Sequence, residues 1–501
     1  MPNRSLPHRS SPNQPFTSLA VAAAVLAAGL AACASDAPTA PQASQAPAAA
    51  SALRAAAAPG RSYFVDPAVG SDGNAGTAAQ PFKSLTKALA KATAGDTVRL
   101  AKGNYTNTGA APLSGDVYPL HVPNGVTVRG ALQANGQPGS GLSPAASADR
   151  TTGLILDGSA TVQDVALTVF GDAVRASQGT QTLRHVTFFL NRTGLALTGS
   201  ANATLVSGAA TLVPGGVAVR AADGAQVTLR GDTLSGLSSV CTTGEAAVDL
   251  GGASRATVDG LVVAQVPGPA LRLRDRSAAT AHNLTVSRAT PSSCFAAPDA
   301  HVVASDSASF TMSGSRLTAA GGINAHGIAW GSRGPLTLGF SRLVGFAAAA
   351  VDVGAAAVVG VKGVIFDSVG TGLRVVNHPD ATVNVTQSTF VRSGIGVRAA
   401  VFRVRNTQFL SNQTGVQIRG SGADLGTLGD PGQNTFVNNA NTGLTFENVL
   451  GVNVTAAGNT WNPATQGADA SGLYPHQVLS PKSANAQGPN FRVVKGTRLV
   501  L

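Results

Sequence analysis

The chain has 501 residues, 12% of them charged and 5% aromatic, with 59 Gly and a formal net charge of +11. Its 35 basic residues are 28 Arg and 7 Lys, and its 24 acidic residues are 22 Asp and 2 Glu, the reverse of the Glu and Lys usage that helical surfaces favour. An apolar content of 44% excludes a disordered chain, Gly without a three-residue period excludes collagen, and basic residues scattered without a Lys or Arg run argue against a nucleic-acid partner.

The first element is a processing signal over residues 1–33. Arg4 and Arg9 provide a positive start, and Leu19 to Leu30 provides a 12-residue apolar core, too short to span a bilayer. Leu30-Ala31-Ala32-Cys33 follows and resembles the lipobox of bacterial lipoproteins. That resemblance implies diacylation of Cys33; the alternative is an ordinary secretory leader. Ala rather than Asp at position 34 favours the outer membrane in a cell with two membranes. Without Arg4 and Arg9 the chain carries 33 basic against 24 acidic residues, about +9. Residues 34–60, rich in Ala, Pro, Ser and Gln, read as a flexible tether.

Residues 61–110 are expected to form an N-terminal cap and the first coils. Phe82, Leu85, Leu89 and Ala92 recur at helical spacing, with Lys83, Lys87 and Lys91 on the opposite face and Gly95 as a stop.

From residue 111 to 461 the chain repeats. Gly or Ala, an apolar residue, any residue and an apolar residue recur, with the first apolar member at Leu154, Val174, Leu195, Val217, Val248, Leu271, Val302, Ile328, Val351, Leu373, Val397, Val416 and Leu444. A second column holds Leu234, Val263, Val286, Leu317, Leu343, Phe366, Phe390, Phe409, Phe436 and Trp461. Three residues before its members stand Gly231, Gly260, Asn283, Gly314, Phe340, Gly363, Gln387, Asn406, Gln433 and Gly458, mostly types that accept a left-handed backbone. Apolar residues two apart mean strands. The first-column intervals have a median of 23 residues, and a coil of that length cannot bury its own apolar face, whereas stacked coils can. The pattern therefore predicts an all-β right-handed parallel β-helix of about a dozen coils, with Phe366 to Trp461 as an internal aromatic column. The apolar stretch 345–361 fits this repeat better than a membrane span, because Asp352, Gly354 and Gly360 interrupt it. Residues 462–501 lack the repeat and are expected to form a C-terminal cap.

Two stretches carry a family resemblance. Tyr63-Phe64-Val65-Asp66, Gly70 to Thr77, Gln80 to Leu85, Gly95-Asp96-Thr97-Val98 and Gly103-Asn104-Tyr105-Thr106 stand at one end. Asp430 to Phe436, Gly458 to Pro463 and Gln466 to Asp469 stand at the other. Together they resemble a pectate-lyase-like β-helix family catalogued as the domain of unknown function number 1565. Residues 111–425 match it only in periodicity. The resemblance implies fold and export; the family has no assigned activity to transfer.

The chemistry is sparse. Adjacent Asp or Glu pairs, which would suggest a hydrolase, are absent, and His326-Gly327 is a lone fragment of a polygalacturonase-like motif. A lyase needs a base and usually Ca²⁺ held by several carboxylates; no cofactor is expected otherwise. The residue after each first-column member points outward, placing Ala218, Asp249, Arg272, Asp352, Arg374 and Arg398 on one face. Arg272, Arg374 and Arg398 with Asp352 are the expected ligand-binding residues, suited to carboxylates or sulfates. Asp352, Arg374 and Lys362 are the weak catalytic candidates. Arg230, Asp259 and His282 are expected in succession on another face. Asp72, Asn74 and Thr77 read as turn residues before they read as a cation site. Cys241 and Cys294, an even pair in an exported chain, are expected to be bridged. The favoured reading is a monomeric, lipid-anchored, non-enzymatic envelope protein that binds acidic polysaccharide or an envelope partner. A polysaccharide lyase or hydrolase, and a purely structural envelope component, are the alternatives.

Overall fold

The computed structural model describes residues 60–106, 113–144, 151–213, 215–236, 245–266, 268–287, 300–319, 326–375, 378–427, 429–440, 442–446, 453–461, 487–488, 491–492 and 498–500. Short strands dominate them, and each coil contributes strands to three parallel ladders. The first ladder runs from Leu120–Pro123 through Asp172–Ala176 and Ala349–Val353 to Thr442–Phe446. The second runs from Ser62–Val65 through Gln226–Arg230 to Asn453–Thr455. The third has fifteen strands, from Gly103–Tyr105 to Thr460–Trp461. The chain is a right-handed parallel β-helix, the hand that strand twist imposes on parallel crossovers. Pairing continues past residue 461, since 491–492 and 498–500 extend the first and second ladders. The 345–361 stretch supplies the strands Ala349–Val353 and Val358–Lys362. No helix among the described residues is long and apolar enough to cross a membrane.

The turn from second to third ladder explains the Gly and Asn column. All ten residues from Gly231 to Gly458 in that column have positive φ, between 44° and 72°, including Phe340, Gln387 and Gln433. The next residue often carries a short polar side chain that accepts from the amide one coil earlier. Asp232 Oδ1 takes Gly208 N at 2.6 Å, Asn434 Oδ1 takes Thr407 N at 3.0 Å and Asn459 Oδ1 takes Asn434 N at 3.0 Å. These side chains satisfy amides that the bend removes from the strand ladders.

The aromatic column is internal. Phe366, Phe390, Phe409 and Phe436 stack with centroids 4.5, 5.1 and 4.7 Å apart and planes within 7° of parallel. The backbone of Trp461 pairs with that of Phe436 on the next coil. The stack also explains the Gly that opens each neighbouring repeat. A Cβ on Gly396 would lie 2.4 Å from Gly415 O and 2.7 Å from the Phe409 ring. Gly372 and Gly415 are pressed in the same way against Phe390 and Phe436.

The N-terminal end is closed by two devices. The free edge of Ser62–Val65 is paired by the segment after it: Phe64 N donates to Gly76 O, and Phe82 N to Phe64 O. The helix Leu85–Lys91, capped by Ser84 Oγ accepting from Lys87 N, then buries Leu85, Ala88 and Leu89. An edge closed this way offers no template for another strand.

Candidate functional site

The first ladder places the charged row on one face, with one correction. Val219, not Val217, pairs with Leu195 and Val248, so Ala218 is buried and Arg220 takes the outward place. Gly216-Val217-Ala218-Val219 and Ala218-Val219-Arg220-Ala221 both satisfy the repeat pattern. Only pairing with the neighbouring coils separates two frames that differ by one strand period.

Arg220, Asp249 and Arg272 then stand on successive coils, as do Asp352, Arg374 and Arg398 further along. Val303 and Ala329 lie between the two groups. In the first group Asp249, only 2% exposed, receives Arg274 Nη2 at 3.0 Å on both oxygens and has Arg220 Nε at 3.8 Å. Glu245 lies 3.4 Å from Arg220 Nη2 and 3.8 Å from Arg272 Nη1. In the second group Arg374 grips Asp352 with both fork nitrogens, Nε to Oδ1 at 2.8 Å and Nη2 to Oδ2 at 2.7 Å. These bonds raise the affinity of the Arg374 guanidinium for its proton. His326 Nδ1 is 3.8 Å from Asp352 Oδ2.

Sequence reasoning singled out Asp249, Arg272, Asp352, Arg374 and Arg398 but missed Arg220, Glu245 and Arg274. Glu245 had one available signal: it is one of two Glu in the chain. It also missed His301, which is buried edge-on against Phe346 at 5.1 Å. That site precedes a column member, where the flanking coils carry Ala270 and Gly327.

Lys362 does not join the site. It lies exposed at the end of a second-ladder strand beside Gly339 and Thr386, on a different ladder from Asp352. Arg230, Asp259 and His282 are consecutive as expected. Their contacts run elsewhere, with Asn283 on Asp259 at 3.2 Å and Ser313 on His282 at 2.6 Å. Asp72, Asn74 and Thr77 are engaged locally. Asp72 accepts from Lys83 N, Ser84 N and Ser84 Oγ, Asn74 donates to Pro81 O, and Thr77 Oγ1 accepts from Gln80 N. Among the described residues no group of three His, Cys, Asp or Glu is placed to hold a metal ion. Cys33, Cys241 and Cys294 lie outside the described residues.

Coil length varies most where the third ladder returns to the first. Residues 237–244, 288–299 and 320–325 all fall in that connection, and Glu245, His301 and His326 follow them closely in the chain.

Other charged networks fasten coils elsewhere. Buried Asp367 holds Arg342 at 2.6 Å and Arg392 at 2.5 Å. Burial alone would raise its pKa, but its bonds to Arg342, Ser368 and Arg392 leave it below the usual carboxylate range. Buried Arg405 lies between Asp424 at 2.7 Å and Asp430 at 2.6 Å. Hydrogen bonds from Arg405 and Arg403 lower Asp430 to about 2.

Several solved structures are similar to the chain at low identity. Pectate lyase Pel9A is 14% identical, with 88% of this chain and 90% of that one covered and a TM-score of 0.34. The catalytic domain of a GH87 alpha-1,3-glucanase is 11% identical, with 86% and 68% covered and a TM-score of 0.32. The GH136 lacto-N-biosidase from Eubacterium ramulus is 12% identical, with 88% and 68% covered and a TM-score of 0.24. No curated protein matches the chain. The family described as "Protein of unknown function (DUF1565)" matches residues 68–257 and 355–466, more than half of the sequence, and the chain belongs to that family.

Proposed function

We propose that this protein is an exported β-helix, anchored by lipid at Cys33 in the cell envelope, that binds acidic polysaccharide along its first-ladder face. One observation carries the reading: Arg220, Arg272, Arg374 and Arg398 share the outward row of a single ladder. Adjacent coils lie about 4.8 Å apart, so Arg374 and Arg398 can meet neighbouring acidic groups of one extended glycan. A mature charge of about +9 adds long-range attraction for a polyanion.

The test is binding of polygalacturonate at low and high salt to the mature protein and to an Arg374→Ala/Arg398→Ala variant. The expected outcome is binding by the parent that weakens as salt rises, and weaker binding by the variant with little change in melting temperature. Equal binding by the two proteins would reject the face.

A second reading, a glycoside hydrolase or lyase, rests on Glu245 and Asp249. Both carboxylates lie within 4 Å of the one Arg220 guanidinium, so their separation does not exceed about 9.5 Å, the upper end of the range of a hydrolytic pair. Asp249 and Asp352 are four coils apart, about 19 Å, and cannot form such a pair. Release of reducing or unsaturated ends from a polysaccharide, abolished by Glu245→Gln, would replace binding by catalysis as the function.

A further inference from the structure

At the N-terminal end, away from the first-ladder face, lies an open cleft of about 560 Å³. Its floor comes from the second ladder, where Phe64, Arg99 and Arg129 are direct neighbours on three successive strands. Its rim carries two exposed aliphatic side chains, Val69 at 74% and Leu132 at 43%. Asp164 lies on the wall.

The polar groups are unevenly matched. Arg129 Nε stands 3.7 Å from Asp164 Oδ2, and the other oxygen of Asp164 contacts His185 Nδ1 at 3.1 Å. Among the described residues no carboxylate lies within ion-pairing distance of Arg99. Its guanidinium lies 6.0 Å from the centre of the Phe64 ring, and its Nε reaches Ser62 Oγ at 3.4 Å. Asp66, the other acidic residue of the cleft, points its Oδ1 at the amides of Ala68 and Val69. The cleft therefore presents two guanidinium groups from neighbouring strands and two carboxylates, Asp66 held by backbone amides and Asp164 shared by Arg129 and His185, so that the Arg99 fork faces the cleft with no acidic partner among the described residues. An apolar rim and an aromatic ring stand beside them.

We infer that this cleft is a second ligand site, for an acidic sugar of one or two rings, which would read a single carboxylated unit or a chain end. Paired guanidinium forks suit a carboxylate. Phe64, Val69 and Leu132 suit the C–H face of a pyranose ring. The volume lies within the range of small-ligand pockets. The site shares no residue with the first-ladder face and does not depend on that face binding anything.

Titration calorimetry of the mature protein with digalacturonate and with its dimethyl ester tests the inference. The ester keeps both rings and loses the charge. The acid is expected to bind about tenfold or more tightly than the ester, the worth of a charge-assisted hydrogen bond. Arg99→Gln, at an exposed position, should remove that preference and leave the melting temperature unchanged. Leu132→Asp should weaken the acid by placing a like charge on the rim, while Arg374→Ala should leave this site intact. Absence of saturable binding, equal affinity for acid and ester, or an Arg99→Gln variant that binds the acid as the parent does would overturn the proposal. Loss of binding in Arg374→Ala but not in Arg99→Gln would assign the signal to the first-ladder face and equally reject the cleft.

Discussion

Asp352 and Arg374, 22 positions apart in sequence, are direct neighbours on adjacent coils and form a two-bond fork of 2.8 and 2.7 Å. The pair limits the very residue it positions, because Arg374 must share its fork with Asp352 before it can engage an anion. Removing the carboxylate charge should therefore strengthen anion binding.

Asp352→Asn is expected to raise affinity for polygalacturonate severalfold, consistent with the worth of one charge-assisted hydrogen bond. The pair is partly exposed, so its stability contribution is about 0–1 kcal/mol. Parallel binding isotherms and melting curves would check this. A loss of affinity would show that Asp352 orients Arg374 for the ligand instead of competing with it.

Phe390→Ala removes one ring from between two stacked neighbours and should cost about 3–5 kcal/mol. Gly396→Ala forces a Cβ onto Gly415 O and the Phe409 ring and should also destabilise. Gly360→Ala meets nothing within 4 Å and should be tolerated, since its strand backbone accepts any residue. Denaturant unfolding of the three variants gives the comparison, and a harmless Gly396→Ala would show that the stack can slide away.

Asp232 is buried, and among the described residues its Oδ2 has no hydrogen-bond partner. Burial raises its pKa to about 7, against the lowering effect of the Gly208 and Arg230 amides. A folded-state pKa above the unfolded value means that the native state binds the extra proton between about pH 4 and 7. The contribution of this group is thus most favourable below about pH 4 and is lost as pH rises through about 7. Asp232→Asn keeps the acceptor for Gly208 N, as Asn434 does for Thr407 N, without the buried charge. It should raise the melting temperature at pH 8 and change little at pH 5. A pH-independent effect would place the cause elsewhere.

Cys241 and Cys294 are proposed to be bridged in the exported protein. A loop of this length gives about 4 kcal/mol in a chain-entropy estimate, less any strain. Peptide mapping without reductant should recover the linked pair; two alkylated thiols would reject it. Intact-mass analysis of the same material checks for diacylglycerol on Cys33.

The sequence alone determined the β-helix, its turn chemistry and its aromatic core. Each of these follows from a residue's relation to its own strand or turn. Alternation sends Phe390 inward, the bend admits Gly231 or Asn406, and a repeat of about 23 residues demands stacked neighbours. Tertiary structure decided which charges meet. Strand pairing, not sequence spacing, chose Val219 over Val217 and so turned Arg220 outward. It carried Glu245 to Arg220 and Arg272, and it set Lys362 on another ladder from Asp352. Connections of unequal length separate the coils, so lateral register comes from backbone pairing and packing. A charged side chain acquires its partners only when that register is made.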